Sequence, residues 1–254
     1  EKDEQSENQV LMDRLNHLLS MYEGRHSFHN FTEGGTSDKI GNPSNYRHMF
    51  SVQLDERSPI VHIRGQDYFL VKLLGQSFML HQIRRMIGLV VAVMIGVLDE
   101  SIIRKALSLS YKTVVPQAPG VNLMLESMDF SSYDTRTRQT LDKVGEWPTD
   151  VEQRCEQFKP VIFEEIVRAD AELRETADFM FTLSYEHKKY GQLVETGKVD
   201  PPLGQRQINK RNAEAAAEEE RSMSGGAVVA EEDASNETAT TGDTAHVDIV
   251  TEQS

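Results

Sequence analysis

"DYFLVKLLGQSFMLHQIRRMIGLVVAVMIGVL", residues 67–98, changes its hydrophobic period partway along, and that change decides the fold. The opening residues alternate, with Phe69, Val71 and Leu73 on one side, which is the two-residue repeat of a half-buried strand. From Ser77 to Val97 apolar residues return every three or four positions, the repeat of a helix packed along one side. A strand that runs straight into a long helix needs partners for both, so the flanking sequence must supply them.

Upstream, "YRHMFSVQL" at 46–54 places Phe50, Val52 and Leu54 on one face, and "IVHIR" at 60–64 is a second β-branched run. Gly65–Gln66 reads as the hairpin connection into the third strand. Further back, Leu11, Leu15, Leu18, Leu19 and Tyr22 predict an amphipathic helix over 7–23, with Gly24 as its stop. Downstream come a short helix from Ser101 to about Leu109, the turn "VVPQAPG", and a strand in "VNLMLESMDF" with Leu123 and Leu125 on one face. This order predicts an α+β fold: a largely antiparallel sheet with helices packed on one face. Residues 1–135 form that domain. Segments 150–159, 161–176 and 178–190 have helical character and make 136–200 a helical extension. Residues 211–254 carry 11 acids against two bases, and 201–254 is expected to be a disordered acidic tail, lacking the apolar surface that would offset its ordering entropy.

The net charge of −14 is unevenly spread, with 15 acids and 13 bases in residues 1–130 but 26 acids and 14 bases in 131–254. The acidic balance therefore argues against a polyanionic partner for the tail and not for the front of the chain. The sole cysteine, Cys155, excludes an intrachain disulfide framework and a cysteine-rich zinc site, and favours a reducing compartment. The polar start "EKDEQSENQV" is not a signal peptide, and the absence of an initiating Met suggests a fragment or trimmed product. Met86–Leu98 is about half of the ~20 residues that a membrane span needs, so no membrane partner is expected.

On a helical wheel Leu80, Ile83, Ile87, Val90 and Met94 fall within roughly 80° and form a core stripe, while Ser77, His81, Arg84 and Gly88 fall within roughly 60° beside it. Arg84, at the border, would have a packed stem and a fixed guanidinium able to grip a carboxylate or phosphate. Arg85 points further towards solvent. The first turns hold no acid, so the positive helix start and its arginines form an anion site. The alternative is that both arginines simply reach water past apolar neighbours. His26 and His29 flank Phe28 in "RHSFHNF", a pattern suited to stacking on bases, against the alternative that Phe28 and Phe31 plug the core. The histidines show no HExxH or paired-ligand spacing, so no metal is expected. "GQSFM" lacks the G-x-S-x-G of a nucleophile elbow.

"YEGRHSFHNFT" at 22–32, "GQSFMLHQIRRMIG" at 75–88 and "APGVNLMLESMDF" at 118–130 resemble, in order, the conserved segments of the TruA family of tRNA pseudouridine synthases, in its eukaryotic nuclear and mitochondrial branch. The resemblance covers about residues 8–135. It implies isomerisation of uridine to pseudouridine in RNA, chiefly tRNA with messenger or small nuclear RNA as further substrates, without cofactor or metal. An aspartate from an R-T-D-x-G loop attacks the uridine nucleotide, the glycosidic bond breaks, and the base rejoins through C5. Arg84 falls on the arginine of the family's H-x-x-R-x-x-x-G segment, which pairs with that aspartate. Leu123 falls on the leucine lining the base pocket, and His81 and Phe28 are further substrate-binding candidates. Arg25 stands where the family has a small or β-branched residue.

The sequence contains no R-T-D-x-G, so the chain is expected to be inactive alone, as a C-terminal portion supplying the arginine and base-pocket side of the site. The resemblance places the protein in the nucleus, with mitochondrion or cytoplasm as further compartments and "QRQINKR" at 205–211 as a candidate signal, and leaves its oligomeric state open, a monomer included. The alternative reading is a non-catalytic RNA-binding paralogue or fragment with a regulatory acidic tail.

Overall fold

In the computed structural model, which describes residues 2–33, 40–130, 147–196 and 244–252, the alternating runs become strands. A first helix, α1 (Lys2–Ser20), and a short edge strand, β1 (Gly24–Ser27), precede β2 (Tyr46–Leu54), β3 (Ile60–Ile63) and β4 (Gln66–Gly75). The hairpin between β3 and β4 turns on Arg64 and Gly65, both left-handed at φ 53° and 81°, the conformation that a tight two-residue turn demands. β1, β2 and β4 pair antiparallel in that order, and β3 pairs with β4 beyond the point where β2 leaves it.

The chain continues through α2 (Gln82–Met94), α3 (Ser101–Leu107), β5 (Tyr111–Lys112), β6 (Leu123–Asp129), α4 (Thr149–Leu173), α5 (Glu175–Tyr185) and β7 (Val194–Glu195), which pairs with β5. The segments 150–159 and 161–173 are one helix, α4, running through Pro160, and it ends at the left-handed Arg174, so that 175–176 open α5. A last strand, β8 (Thr244–Glu252), lies between β4 and β6 and pairs antiparallel with both. This stretch lies within 201–254, the segment expected to be an acidic tail, and its sequence "TAHVDIVTE" alternates Val247, Ile249 and Thr251 with other residues. The remainder of the expected tail, including the candidate signal at 205–211, lies outside the described residues, as do 131–146 and 197–200.

Helices α1, α2 and α3 share one continuous core with the sheet, in which Leu18, Tyr22, Val52, Leu73, Met86 and Ile103 are buried. Two side chains fix α1 on β2: Asn16 Oδ1 accepts from the Leu54 amide at 2.8 Å, and Glu23 Oε1 from the Val52 amide at 3.0 Å. The expected one-sided packing describes α1–α3. The extension helix α4 instead covers part of the opposite face, where Phe163 and Val167 meet Ile63, Tyr68 and Leu70.

Two side-chain assignments change. The register of β2 shifts between Met49 and Ser51, so Met49, Val52 and Leu54 enter the core while Phe50 is left 43% exposed. Helix α2 begins at Gln82 and not at Ser77, which leaves Leu80 outside the core stripe and 64% exposed.

Candidate functional site

The loop between β4 and α2 is held by its own backbone and one amide side chain. Gln76 N–H donates to the His48 carbonyl at 2.9 Å. Gln82, fully buried, accepts from the Met79 amide at 2.9 Å through Oε1 and turns its Nε2 towards the sulfurs of Met49 and Met86. His81 precedes the helix in a left-handed conformation, φ 62°, with no side-chain cap on the helix start. It is half-buried at the mouth of the loop and belongs to the turn before the helix.

Arg84 is locked to the segment that follows α3 and β5. Its Nε donates to the Ala118 carbonyl at 2.7 Å, and its own carbonyl accepts from the Ala118 amide at 3.0 Å. With the Gln117 amide turned so that its oxygen faces the guanidinium, that oxygen accepts from both terminal nitrogens, at 3.1 and 3.3 Å. The guanidinium also lies against Gly120, where an added Cβ would sit 3.4 Å from Cζ. One turn on, a Cβ at Gly88 would come within 2.4 Å of the Pro116 carbonyl oxygen, so only glycine lets the segment lie this close to α2. Arg84 and Gly88 thus share a stripe, as the wheel has it, and the stripe faces residues 116–120. Among the described residues no carboxylate pairs with Arg84.

Leu123 belongs to the same turn: its amide donates to the Gly120 carbonyl at 3.2 Å, and its side chain packs on the main core. Asn122 ties the turn to α5 by donating to Thr176 Oγ1 at 3.1 Å. The structure therefore sets Arg84 and Leu123 against the 116–120 turn, with His81 in the loop that precedes α2. It does not bring Phe28 there. Phe28 is fully buried, its ring edge-to-face with Phe31 at 5.6 Å, while Phe31 meets Tyr22 in the same manner at 5.7 Å. It offers no ring face to a ligand and plugs the core, the alternative that two aromatics three residues apart leave open.

Arg85 also departs from its expected solvent position. Its side chain is 14% exposed, with Nη1 donating to the Thr32 carbonyl at 3.3 Å and Nη2 paired with Glu33. Neighbouring residues complete this staple: His29 Nε2–H donates to the Tyr111 carbonyl at 3.0 Å, and Asn30 Nδ2 donates to the Ala106 and Tyr111 carbonyls at 2.8 and 3.0 Å. Asn30 Oδ1 accepts from the Thr113 amide at 3.1 Å. Burial pushes His29 below the ordinary histidine range, so the ring is neutral and serves packing. Sequence reasoning singled out none of Gln117, Ala118 and Gly120; the last two lie in the 118–130 family segment, and the Ala118 contact is made by a backbone carbonyl, which leaves no signal in side-chain identity.

Among the described residues no group of three His, Cys, Asp or Glu is placed to hold a metal ion, and no helix is long and apolar enough to cross a membrane.

Residues 18–131 match the family model for tRNA pseudouridine synthase. A human protein, "Pseudouridylate synthase 1 homolog", is 34% identical over 198 residues, covering 76% of this chain and 44% of that protein. Its mouse counterpart is 36% identical over 175 residues, covering 68% and 39%. A "tRNA pseudouridine(27/28) synthase" of Saccharomyces cerevisiae is 37% identical over 131 residues, covering 51% and 32%. The chain spans less than half the length of each of these relatives. The three motifs lie inside the matched residues, and residues 18–131 are a domain of the tRNA pseudouridine synthase family, of the TruA type.

Proposed function

We propose that the protein acts in the isomerisation of uridine to pseudouridine in tRNA, with Arg84 as the group that holds the nucleophilic aspartate ionised and aimed. The observation that carries this reading is the guanidinium of Arg84, fixed on three sides by Ala118, Gln117 and Gly120 and unpaired with any carboxylate among the described residues. Neutral acceptors orient the fork without cancelling its charge, so its attraction for an incoming carboxylate is kept. An aspartate seated there stays deprotonated, as a nucleophile must. After the glycosidic bond breaks, the base bonds through C5, the C5 proton leaves, and N1 gains a proton.

His81 and Leu123 flank the place the base would take, one at the mouth of the loop and one in the turn packed on the core. The substrate is RNA, chiefly tRNA, and the relatives' printed names support that class. The same reading takes the nucleus as the compartment, checked by imaging a tagged full-length protein.

Tritium release from 5-tritiated uridine in tRNA tests the role of Arg84. Arg84→Ala in the complete protein should lower turnover on the order of a hundred-fold or more while RNA retention stays within about two-fold, because the lost interaction acts on the reacting centre. Arg84→Lys should recover little, since a point charge cannot use the same acceptors. Full turnover by Arg84→Ala would remove this residue from the reaction.

A further inference from the structure

Arg25, Tyr46, His48 and Phe50 stand together on the sheet face that α1–α3 leave uncovered, at the end that α4 does not reach. Arg25 and His48 are direct cross-strand partners, and Tyr46 lies two residues from His48 on the same side. The His48 and Phe50 rings are 4.6 Å apart and tilted by 37°, with Phe50 left exposed by the register shift in β2. The Arg25 guanidinium sits 5.7 Å from the centre of the Tyr46 ring.

The charge around these rings is unlike that of the rest of the chain. β1 and β2 contain Arg25, His26, Arg47 and His48 and not one acid, in a protein of net charge −14. Some exposed arginines elsewhere are held by carboxylates, Arg154 by Asp150 and Arg168 by Glu165 and Glu172, whereas Arg14, Arg57 and Arg104 are exposed without an ion pair among the described residues but have no aromatic ring beneath them. Arg25 has no carboxylate partner among the described residues and rests on an aromatic ring instead. The strip is also joined to the candidate site, because the His48 carbonyl accepts from Gln76 at the start of the loop that leads to Arg84.

We infer that this strip is a nucleotide-binding platform for the RNA substrate, with an unpaired base stacked on the Phe50–His48 rings and the adjoining phosphate on Arg25. Exposed rings beside an unpaired cation are what a single strand needs: every base has a stacking face, and each phosphate seeks one positive charge. Burial and the nearby Arg25 charge hold His48 below the ordinary histidine range, so its ring is neutral and stacks while Arg25 carries the charge. The inference rests on the reading that RNA is the substrate, and it adds a contact away from the reacting uridine.

The test uses the full chain and a short fluorescein-labelled single-stranded oligouridylate. Phe50→Ala and Phe50→Leu should both weaken binding about ten-fold, while Phe50→Tyr, which keeps a ring, should stay within about two-fold of the parent. Arg25→Ala should lower the slope of log affinity against log salt by about 0.7. Ultraviolet cross-linking should attach nucleotide to the peptide containing Tyr46–Phe50. Parent-like binding by Phe50→Leu with an unaltered slope in Arg25→Ala overturns the platform and leaves the enzyme reading standing. A parent chain that retains no oligouridylate at low salt overturns both.

Discussion

The two faces of the sheet are built to different depths. Towards α1–α3, apolar side chains from Leu15 to Ala118 form one continuous core. On the opposite face five residues, Ile63, Tyr68, Leu70, Phe163 and Val167, make a small cluster. Charge takes over beside it: Lys72 bridges Asp55 at 2.8 Å and Glu126 at 3.3 Å, and Lys159 contacts Glu126 and, at 2.8 Å, Glu156. These groups line a cleft of about 950 Å³ between the sheet and α4. The deep face specifies the fold, since partly buried ion pairs add little net stability and need every partner present. The shallow face is where polar ligands can be met, and the Arg25–Phe50 strip is its open end.

Two leucines of β4, on opposite faces of the sheet, probe the contrast most strongly. Leu73 is fully buried in the deep core and Leu70, 5% exposed, enters the small cluster. Leu73→Ala should cost about 4 kcal/mol and Leu70→Ala about 2 kcal/mol, because α4 can settle onto a smaller neighbour while the interlocked core cannot. Urea unfolding with unchanged slopes would measure both. Equal losses would break the comparison and make α4 as rigid a cover as α1–α3.

Gly88 marks the place where the deep core meets the candidate site. Gly88→Ala puts a methyl into the Pro116 carbonyl and must push residues 116–120 away from α2. A stability loss of about 2 kcal/mol is expected, with turnover falling further than stability explains because the Ala118 and Gln117 acceptors leave Arg84. A variant that is destabilised yet turns over tRNA at the parent rate would separate the 116–120 segment from the aim of Arg84.

Local periodicity made β2, β4 and the Arg84–Gly88 stripe legible in the sequence. Phe69, Val71 and Leu73 are buried as their alternation requires, and "YRHMFSVQL" is strand along its whole length. What failed depends on partners distant in the chain. Phe50 left the core because the pairing of β2 with β4 shifts beside it, and no pattern within nine residues reveals a bulge. The helix starts five residues later than its apolar repeat implies because the buried Gln82 amide closes the loop over Met79 and His81 takes a left-handed turn. Arg85 turns inward to acceptors, the carbonyls of Asn30 and Thr32, that lie more than fifty residues away and so are invisible to a helical wheel. The family segments contain Arg84, Ala118, Gly120 and Leu123, but that the Ala118 carbonyl and the Gln117 amide hold the Arg84 guanidinium is a contact across more than thirty residues that no local pattern carries.

Acid should act on the two faces at different pH, with a smaller effect than any of the substitutions above. His29 staples the deep core to β5 as a neutral ring; burial lowers its affinity for a proton, and this outweighs the Tyr111 and Ser27 hydrogen bonds that raise it. A folded state that binds the proton less readily than the unfolded one is favoured above the unfolded value of about 6.5 and loses that advantage as pH falls through it. His26 is shifted the same way, chiefly by burial, so it adds to this slope. Asp55 behaves differently: burial pushes it up, but Lys72 and the amides of Ser58 and Arg57 together outweigh that and hold it below the usual carboxylate value. Its contribution is complete above about pH 3.9 and disappears only at lower pH. Urea midpoints taken from pH 8 to 3 should therefore fall in two stages, the deep face loosening between about pH 7 and 5 and the Asp55–Lys72 side giving way below about pH 4. His29→Gln should flatten the first stage in part and leave the second, while Asp55→Asn should do the reverse. If His29→Gln kept the parent's slope between pH 7 and 5, the staple would not be what senses acid, and the two faces would titrate as one unit.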